Sequence, residues 1–351
     1  MRKLLRLGPL VLVSLTALVG AGEALAEFRP QIFVTSTKPA VGAAGIKIRY
    51  VSARLQEPTA NVKIAVPKSY VTTTAGSAGA RIGSATASVL LTDPNRIVTA
   101  KGSLQIASAS EFAPQATGCT GTASHSATWV LSLNAAGTVL RVPIFVDAIS
   151  TGPSAAFASS TLELCLAAPD TPRGSPGRAP LGAKLLTLTL TAGSIKNPAA
   201  GGIYRWRATA TPYNVGVGTA NASGTVEVQS LSVVPLKLTL EGTVGASRKQ
   251  GFRRVSLSGL LSANAVGING IFVDLLRGGK KFATLTTKKG GVFAATGDIK
   301  RGGGSTFVAR ATTPDKDLGG GSCVATFTPI PCQDATLPGF TLASNVVRLG
   351  L

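Results

Sequence analysis

The residues that could carry out catalysis are few, and they centre on one histidine. His125 is the only histidine in the chain, so any Ser-His-Asp or Cys-His mechanism would have to use it. Serines lie on both sides of it, at Ser124 and Ser126, and Asp147 follows further along the chain. No G-x-S-x-G nucleophile elbow accompanies these residues. The sequence therefore favours a loop or strand-edge histidine over a catalytic one.

A pair of carboxylates could hydrolyse glycosidic bonds without a histidine. The candidates are Glu111, Asp147, Glu163 and Glu227. Nothing in their spacing pairs them, and an aromatic content of 5% leaves few rings to line a sugar site. A secreted hydrolase with carboxylates on loops of the N-terminal domain is the alternative hypothesis. The hypothesis that we prefer to this alternative is a protein that has no catalytic residues.

Metal and cofactor sites are not predicted either. A single histidine and the lack of C-x-x-C spacing disfavour zinc. Asp315 and Asp317 lack the later acidic ligand of a calcium loop, so we interpret them as a turn. The glycine runs at 302–304 and 319–321 lie between predicted strands, whereas phosphate and dinucleotide loops precede helices. We expect no cofactor.

Residues 1–26 have the pattern of a cleaved secretory signal peptide. Arg2, Lys3 and Arg6 make a basic start, an apolar run covers 7–19, and the segment ends in small residues in an A-x-A arrangement. A membrane anchor is the alternative, but it needs about 20 apolar residues, and glycine, proline, serine and threonine interrupt this run. The sequence predicts a secreted protein with no transmembrane segment after cleavage.

The four cysteines of an exported chain indicate two disulfides. Four cysteines allow three pairings. We favour Cys119 with Cys165 and Cys323 with Cys332, because each pair then stays inside one proposed domain.

The chain is strongly basic, with a net charge of +20, although only 14% of its residues are charged. A basic surface attracts polyanions, so anionic cell-wall or surface polymers are candidate partners, and no specific nucleic acid is expected. The basic residues are dispersed, so background solubility is the simpler explanation. The densest groups all lie in the last third: Arg248, Lys249, Arg253, Arg254, Lys280, Lys281, Lys288, Lys289, Lys300 and Arg301. Of these, we take Lys280, Lys281, Lys288 and Lys289 as candidate binding residues.

Short alternating runs predict β-strands through most of the mature chain. Apolar and polar residues alternate over 46–50 and 62–66. Further candidate strands are 87–91, 102–106, 127–133, 139–146, 161–166 and 184–190. Little helix is expected, and the best candidate is a short turn near 107–112. The proline-rich stretch 169–180 cannot pair as a strand, so we interpret it as a surface loop inside the first domain.

The segment 204–213 combines arginines with aromatic residues. Strand geometry puts Tyr204 and Trp206 on one face and Arg205 and Arg207 on the other. Such a strand could be a platform for nucleic acid or sugar. We favour the alternative that the aromatic residues are core and the arginines a solvated face, and keep Arg205, Trp206 and Arg207 as candidate binding residues.

The last third carries a family resemblance. Its segments 255–262, 270–280, 283–296 and 305–311 resemble bacterial Ig-like modules of the carboxypeptidase-regulatory or prealbumin-like kind, over about residues 236–351. The resemblance implies a seven-stranded sandwich that serves as a spacer or binding unit and carries no catalysis. An insertion at 319–332 departs from the minimal module. The remainder is similar to secreted proteins of high-GC bacteria, a likeness that implies no particular activity.

Together these observations predict an all-β protein with two antiparallel β-sandwich domains, at 27–234 and 235–351. We expect an exported, non-enzymatic protein that acts as an extracellular binding or spacer module. The sequence does not predict its oligomeric state.

Overall fold

A computed structural model describes residues 27–135, 137–302, 304–318 and 332–351. The predicted signal peptide at 1–26 and Cys323 lie outside these residues, and so does the side chain of Cys332. The predicted Cys323–Cys332 disulfide therefore stays a prediction.

The regular secondary structure of the described chain is mostly β-strand, as the sequence predicts. Its strands are β1 (Gln31–Ser36), β2 (Ala44–Val51), β3 (Thr59–Pro67), β4 (Val71–Thr72), β5 (Arg81–Leu91), β6 (Arg96–Ala107), β7 (Ala127–Ala135), β8 (Thr138–Ala148), β9 (Ala158–Cys165), β10 (Ala183–Lys196), β11 (Gly202–Pro212), β12 (Val226–Val234), β13 (Leu236–Ala246), β14 (Phe252–Ala263), β15 (Val266–Gly267), β16 (Phe272–Arg277), β17 (Lys280–Thr286), β18 (Val292–Lys300), β19 (Gly304–Thr312), β20 (Lys316–Asp317), β21 (Cys332–Leu337), β22 (Thr341–Ala343) and β23 (Val347–Gly350). One α-helix, α1 (Ala113–Thr120), accompanies them in the described residues.

The N-terminal unit is one large sheet folded over a single core. Its strand order is β1-β2-β10-β5-β6-β7-β8-β9-β3-β11-β12-β21-β20, and β4 pairs with β10. Apolar side chains of β2 and β10 line the same small internal gap as those of β3 and β9. Because these two pairs of strands are distant in the sheet order, the two ends of the sheet must face each other across the core. The result is a two-layered arrangement.

Alternation along each strand explains this packing. Ile46, Ile48 and Tyr50 of β2 are buried, while Lys47 between them is exposed. The same alternation buries the apolar positions of β3. The strand segments predicted from alternation lie in strands of this sheet, except that 161–166 extends one residue past β9. The agreement follows because period-2 patterning records which face of a strand is buried.

The helix lies after the position that the sequence predicts for a helical turn. Residues 109–112 form turns, and α1 begins at Ala113 with a proline in its first turn. Its apolar periodicity is weak, so the pattern did not find it. The helix covers the outer face of the sheet, where Phe112 and Ala116 pack with Val130 and Phe145 in a second small cluster.

The proline-rich stretch 169–180 is a loop within the N-terminal unit, as predicted. Ala168 and Arg178 form an isolated bridge across it. The Arg178 guanidinium donates to the Asp93 carboxylate at 2.8 Å, which fastens the loop to the turn after β5.

The C-terminal unit is a sandwich of two antiparallel sheets. One sheet contains β13, β14, β15 and β18, and the other contains β16, β17, β19, β22 and β23. Both contribute to one core, in which Leu257 of β14 packs with Val273 of β16 and Phe307 of β19. This core is separate from that of the N-terminal unit. The boundary at 234/235 remains a prediction.

Strands β20 and β21 belong to the N-terminal sheet although they follow β19 of the C-terminal sandwich. We call them the return strands. β21 pairs in parallel with β12, and β20 pairs with β21. The sequence interpretation of 315–317 as a turn is wrong, because Lys316 and Asp317 form β20 and Asp317 accepts a hydrogen bond from Gln31 of β1 at 2.8 Å.

The return strands help to close the N-terminal sheet. The fully buried hydroxyl of Thr336 on β21 donates to the carbonyl of Ile32 on β1. The backbone N–H of Val34 on β1 donates to the hydroxyl of Ser230 on β12 at 2.9 Å. Side-chain hydroxyls thus join β1 to β12 and β21 where no backbone ladder runs between them.

Replacing the Thr336 hydroxyl should therefore destabilise the protein. Thr336→Val keeps the shape and removes the donor, so a loss of about 1–3 kcal/mol is expected in the free energy of unfolding, measured in urea. Thr341→Val, at an exposed position of β22, should change it by less than about 0.5 kcal/mol. Equal stability of the two variants would contradict the closure of the sheet by Thr336.

The Cys119–Cys165 disulfide ties α1 to β9, as the sequence predicts. The two cysteines are separated by 46 residues in sequence, and loop-closure entropy gives a stabilisation of about 4 kcal/mol for a bridge of that span. The double variant Cys119→Ser/Cys165→Ser should unfold at correspondingly lower urea concentration than the oxidised protein. A midpoint unchanged by the double substitution would rule out this contribution.

Candidate functional site

His125 lies at the edge of the small cluster under α1. Its Nδ1 is 2.8 Å from Asp147 Oδ2, and its ring stacks on Phe145 with centroids 4.8 Å apart. Its Nε2 lies 3.1 Å from the Thr120 hydroxyl. The sequence analysis identified Asp147 as a possible partner of His125. It did not identify Thr120, because only the folding of α1 brings this residue to the ring.

Backbone carbonyl groups surround His125 and Thr120. Nε2 also lies 3.2 Å from the carbonyl oxygen of Thr122, which accepts a hydrogen bond from the Thr120 hydroxyl at 3.1 Å. The Thr120 hydroxyl also lies 3.0 Å from a backbone carbonyl within α1, that of Ala116. Both ring nitrogens of His125 thus contact protein groups.

The carboxylates that could support hydrolysis are engaged in separate contacts. Glu163 is buried, accepts from Asn61 at 2.8 Å and pairs with Lys63 at 2.9 Å. Glu227 is buried on β12 and accepts from Gln229. Glu163 and Glu227 lie three strands apart in the order β9-β3-β11-β12, which is about 14 Å at 4.8 Å per strand.

The remaining two carboxylates also have partners. Glu111 pairs with Arg141, and Asp147 holds His125. Asp147 and Glu163 are on neighbouring strands, but each is engaged as above and neither lines the cleft described below. The described residues thus give the hydrolase alternative no support.

One group of potential metal ligands occurs in the described residues: Cys119, Glu163 and Cys165 lie close together. The two sulfurs are bonded to each other. The disulfide accounts for this proximity.

The arginine-aromatic strand 204–213 is β11. Trp206 is fully buried and packs edge-to-face on Tyr70, with ring centroids 4.9 Å apart. On the other face, Arg205 donates to the Gln229 side chain at 2.6 Å, and the Arg207 guanidinium lies 4.6 Å from the centre of the Phe157 ring. The structure thus places Trp206 in the core and these two arginines against protein groups.

The structure separates the two lysine pairs predicted to bind. Lys280 and Lys281 begin β17, whereas Lys288 and Lys289 follow its other end. At about 3.3 Å per residue, Lys281 and Lys288 are roughly 23 Å apart. All four are exposed.

Lys280 and Lys281 instead join basic residues that are distant in sequence. The Arg301 N–H donates to the carbonyl of Gly251 at 2.8 Å, so the end of β18 lies beside the turn between β13 and β14. The Gly278 N–H donates to the carbonyl of Thr306 at 3.0 Å, so the β16–β17 turn lies beside the start of β19. Since β19 begins shortly after Arg301, this turn lies at the same end of the sandwich. We call this region the basic end; its members are Arg248, Lys249, Arg253, Arg254, Lys280, Lys281, Lys300 and Arg301.

The basic end is the part of the C-terminal sandwich farthest from Pro235, where the chain leaves β12 and enters β13. β13 starts beside Pro235 and has 11 residues, so the turn after it lies roughly 35 Å away. In the described part of the chain, only Lys281 among these residues has a carboxylate partner, Asp274 at 3.0 Å. The Thr284 hydroxyl and the Lys281 ammonium hold the pKa of Asp274 below its usual range. Asp274 is therefore ionised at neutral pH and neutralises one charge of the set.

Comparison with known proteins gives no family. No protein-family model matches the chain, and no curated protein matches it. Among solved structures, the D0-D1 domain of Intimin is similar at 13% sequence identity and a TM-score of 0.20, covering 88% of this chain and 96% of that one. A similarity at this level carries no argument about fold or function.

In the residues that the structure describes, no helix is long and apolar enough to cross a membrane.

The structural nature of the His125–Asp147 contact can be tested with a double-mutant cycle. His125→Gln and Asp147→Asn should each cost about 1–3 kcal/mol of unfolding free energy, and the double variant should cost little more than the worse single one. Urea unfolding of all four proteins measures this coupling.

The Glu111–Arg141 pair, whose side chains are 30% and 48% exposed, is the matched control. Its own cycle should give a coupling below about 1 kcal/mol. Additive effects of His125→Gln and Asp147→Asn would contradict the interpretation.

Proposed function

We propose that the protein is exported and acts outside the cell as a non-enzymatic binding or spacer module, whose basic end holds an anionic surface polymer. The observation that carries this proposal is the convergence of exposed basic side chains from three turns at the far end of the C-terminal sandwich. A flexible polymer with repeated negative charges can contact several such side chains at once.

Export is supported by two features. The predicted signal peptide directs secretion, and the Cys119–Cys165 disulfide is of the kind that forms and persists in oxidising compartments. The proposed domain boundaries are 27–234 and 235–351.

The non-enzymatic character is supported by the contacts of the polar groups. His125, Glu163 and Asp147 each engage protein partners. The two-sheet C-terminal sandwich is also what the Ig-like resemblance implies, and we propose that residues 236–351, apart from the return strands β20 and β21, form such a module.

The basic end should bind a polyanion through electrostatic attraction, and added salt should weaken this binding. Its charges are exposed, and the Debye length falls from about 10 Å at 0.1 M salt to about 3 Å at 1 M. Binding should be strongest at low ionic strength.

Two double variants that each remove two adjacent positive charges test the proposal. Lys300→Ser/Arg301→Ser alters the basic end, and Lys288→Ser/Lys289→Ser alters the opposite end of the same sandwich. With polygalacturonate immobilised on a sensor at low ionic strength, the first variant should bind at least about tenfold more weakly, a loss of about 1.4 kcal/mol. The second should bind like the unaltered protein.

Neutral dextran serves as the control surface, and no binding to it is expected. Equal losses in the two double variants would show that net charge alone drives adsorption. Unchanged binding of Lys300→Ser/Arg301→Ser would discard the basic end as the binding surface.

A further inference from the structure

A second feature, independent of the basic end, is a cleft between the two units. It has a volume of about 460 Å³, within the range of small-molecule sites. One wall is formed by the end of β1 and the start of β2, and the other by residues 313–315 and 339–342 around β22.

Hydroxyl groups are frequent in the lining of this cleft. Thr35 lies on the N-terminal side, and Thr313 and Thr341 lie on the other. The hydroxyl of Ser36, which also lines the cleft, is used within the protein, since it donates to the carbonyl of Lys38 and accepts from Asn197. A hydroxyl both donates and accepts, which matches the alternating demands of a sugar. Phe340 adds a ring against which the C–H face of a sugar can pack.

The cleft carries more positive than negative charge. Lys47 and Arg49 occupy the same outer face of β2, two residues apart. Arg49 pairs with Asp315 across the cleft and lies over the Phe33 ring at 4.2 Å. Asp315 also accepts from the backbone N–H of Gly339 at 2.7 Å.

Lys47 has no carboxylate partner within 4 Å among the described residues, although it lines the cleft and is exposed. Because Arg49 neutralises Asp315, the ammonium of Lys47 is the uncompensated charge of this site. The cleft therefore favours a ligand with one negative charge.

We propose that the cleft binds a sugar acid, meaning a mono- or disaccharide that carries a carboxylate. The carboxylate pairs with Lys47, the sugar hydroxyls bond to the hydroxyls of Thr35, Thr313 and Thr341, and one sugar face packs on Phe340. Both units contribute to the site, so binding requires their observed arrangement.

Calorimetric titration of the full chain with D-glucuronate tests this proposal. We expect saturable binding with a Kd on the order of 1 mM, and at least tenfold weaker binding of neutral D-glucose. Lys47→Gln should weaken glucuronate binding at least tenfold. Lys101→Gln, at an exposed position of β6, should leave it unchanged.

The outcomes that overturn the proposal are distinct from those that concern the basic end. No saturable glucuronate binding, or equal affinity in Lys47→Gln and the unaltered protein, would overturn it. Lys300→Ser/Arg301→Ser should bind glucuronate normally, and a loss in this variant would place the sugar acid at the basic end instead. Circular dichroism confirms that each variant is folded.

Discussion

The structure of the N-terminal unit depends on how its large sheet closes. A sheet that curls around one core brings its outer strands together, and their backbone groups must find partners once water is excluded. Between β1 and β12 no ladder forms. Buried hydroxyls supply the partners instead, with Ser230 accepting from Val34 and Thr336 donating to Ile32. Hydroxyls suit this position because they are compact and can donate or accept, so the two strands need no common register.

The polar groups of the two units are used differently. In the N-terminal unit, two contacts near α1 hold it in place: the disulfide fixes its end to β9, and His125 with Asp147 fixes the loop that follows. In the C-terminal sandwich, the basic residues at the far end outnumber their acidic neighbours, which are Asp274 beside Lys281 and Asp298 opposite Arg254. Charge that is not used for stability is available for binding, and it lies where a large partner has free access.

Much of the fold could be predicted from the sequence, because alternation records directly which face of a strand is buried. Helix α1 could not, since its apolar pattern is weak and its stability comes from the disulfide and from packing on Phe145. β20 was missed because Asp315 and Asp317 look like turn residues, and only the pairing of Lys316 and Asp317 with β21, which is distant in sequence, reveals a strand. The basic groups were visible along the chain, but which of them meet depends on the pairing of turns such as 251 with 301. The role proposed for Lys47 could not be predicted from the sequence either, because the cleft that it lines is formed by segments that are distant along the chain.

The main chain passes between the two units at three places: at Pro235, between β19 and β20, and between β21 and β22. A single proteolytic cut at Pro235 would therefore leave two fragments that the hydrogen bonds between β21 and β12 still hold together. Unravelling the C-terminal sandwich would pull on β20 and β21 in the other sheet, so the unfolding of one unit is coupled to the loss of strands from its neighbour.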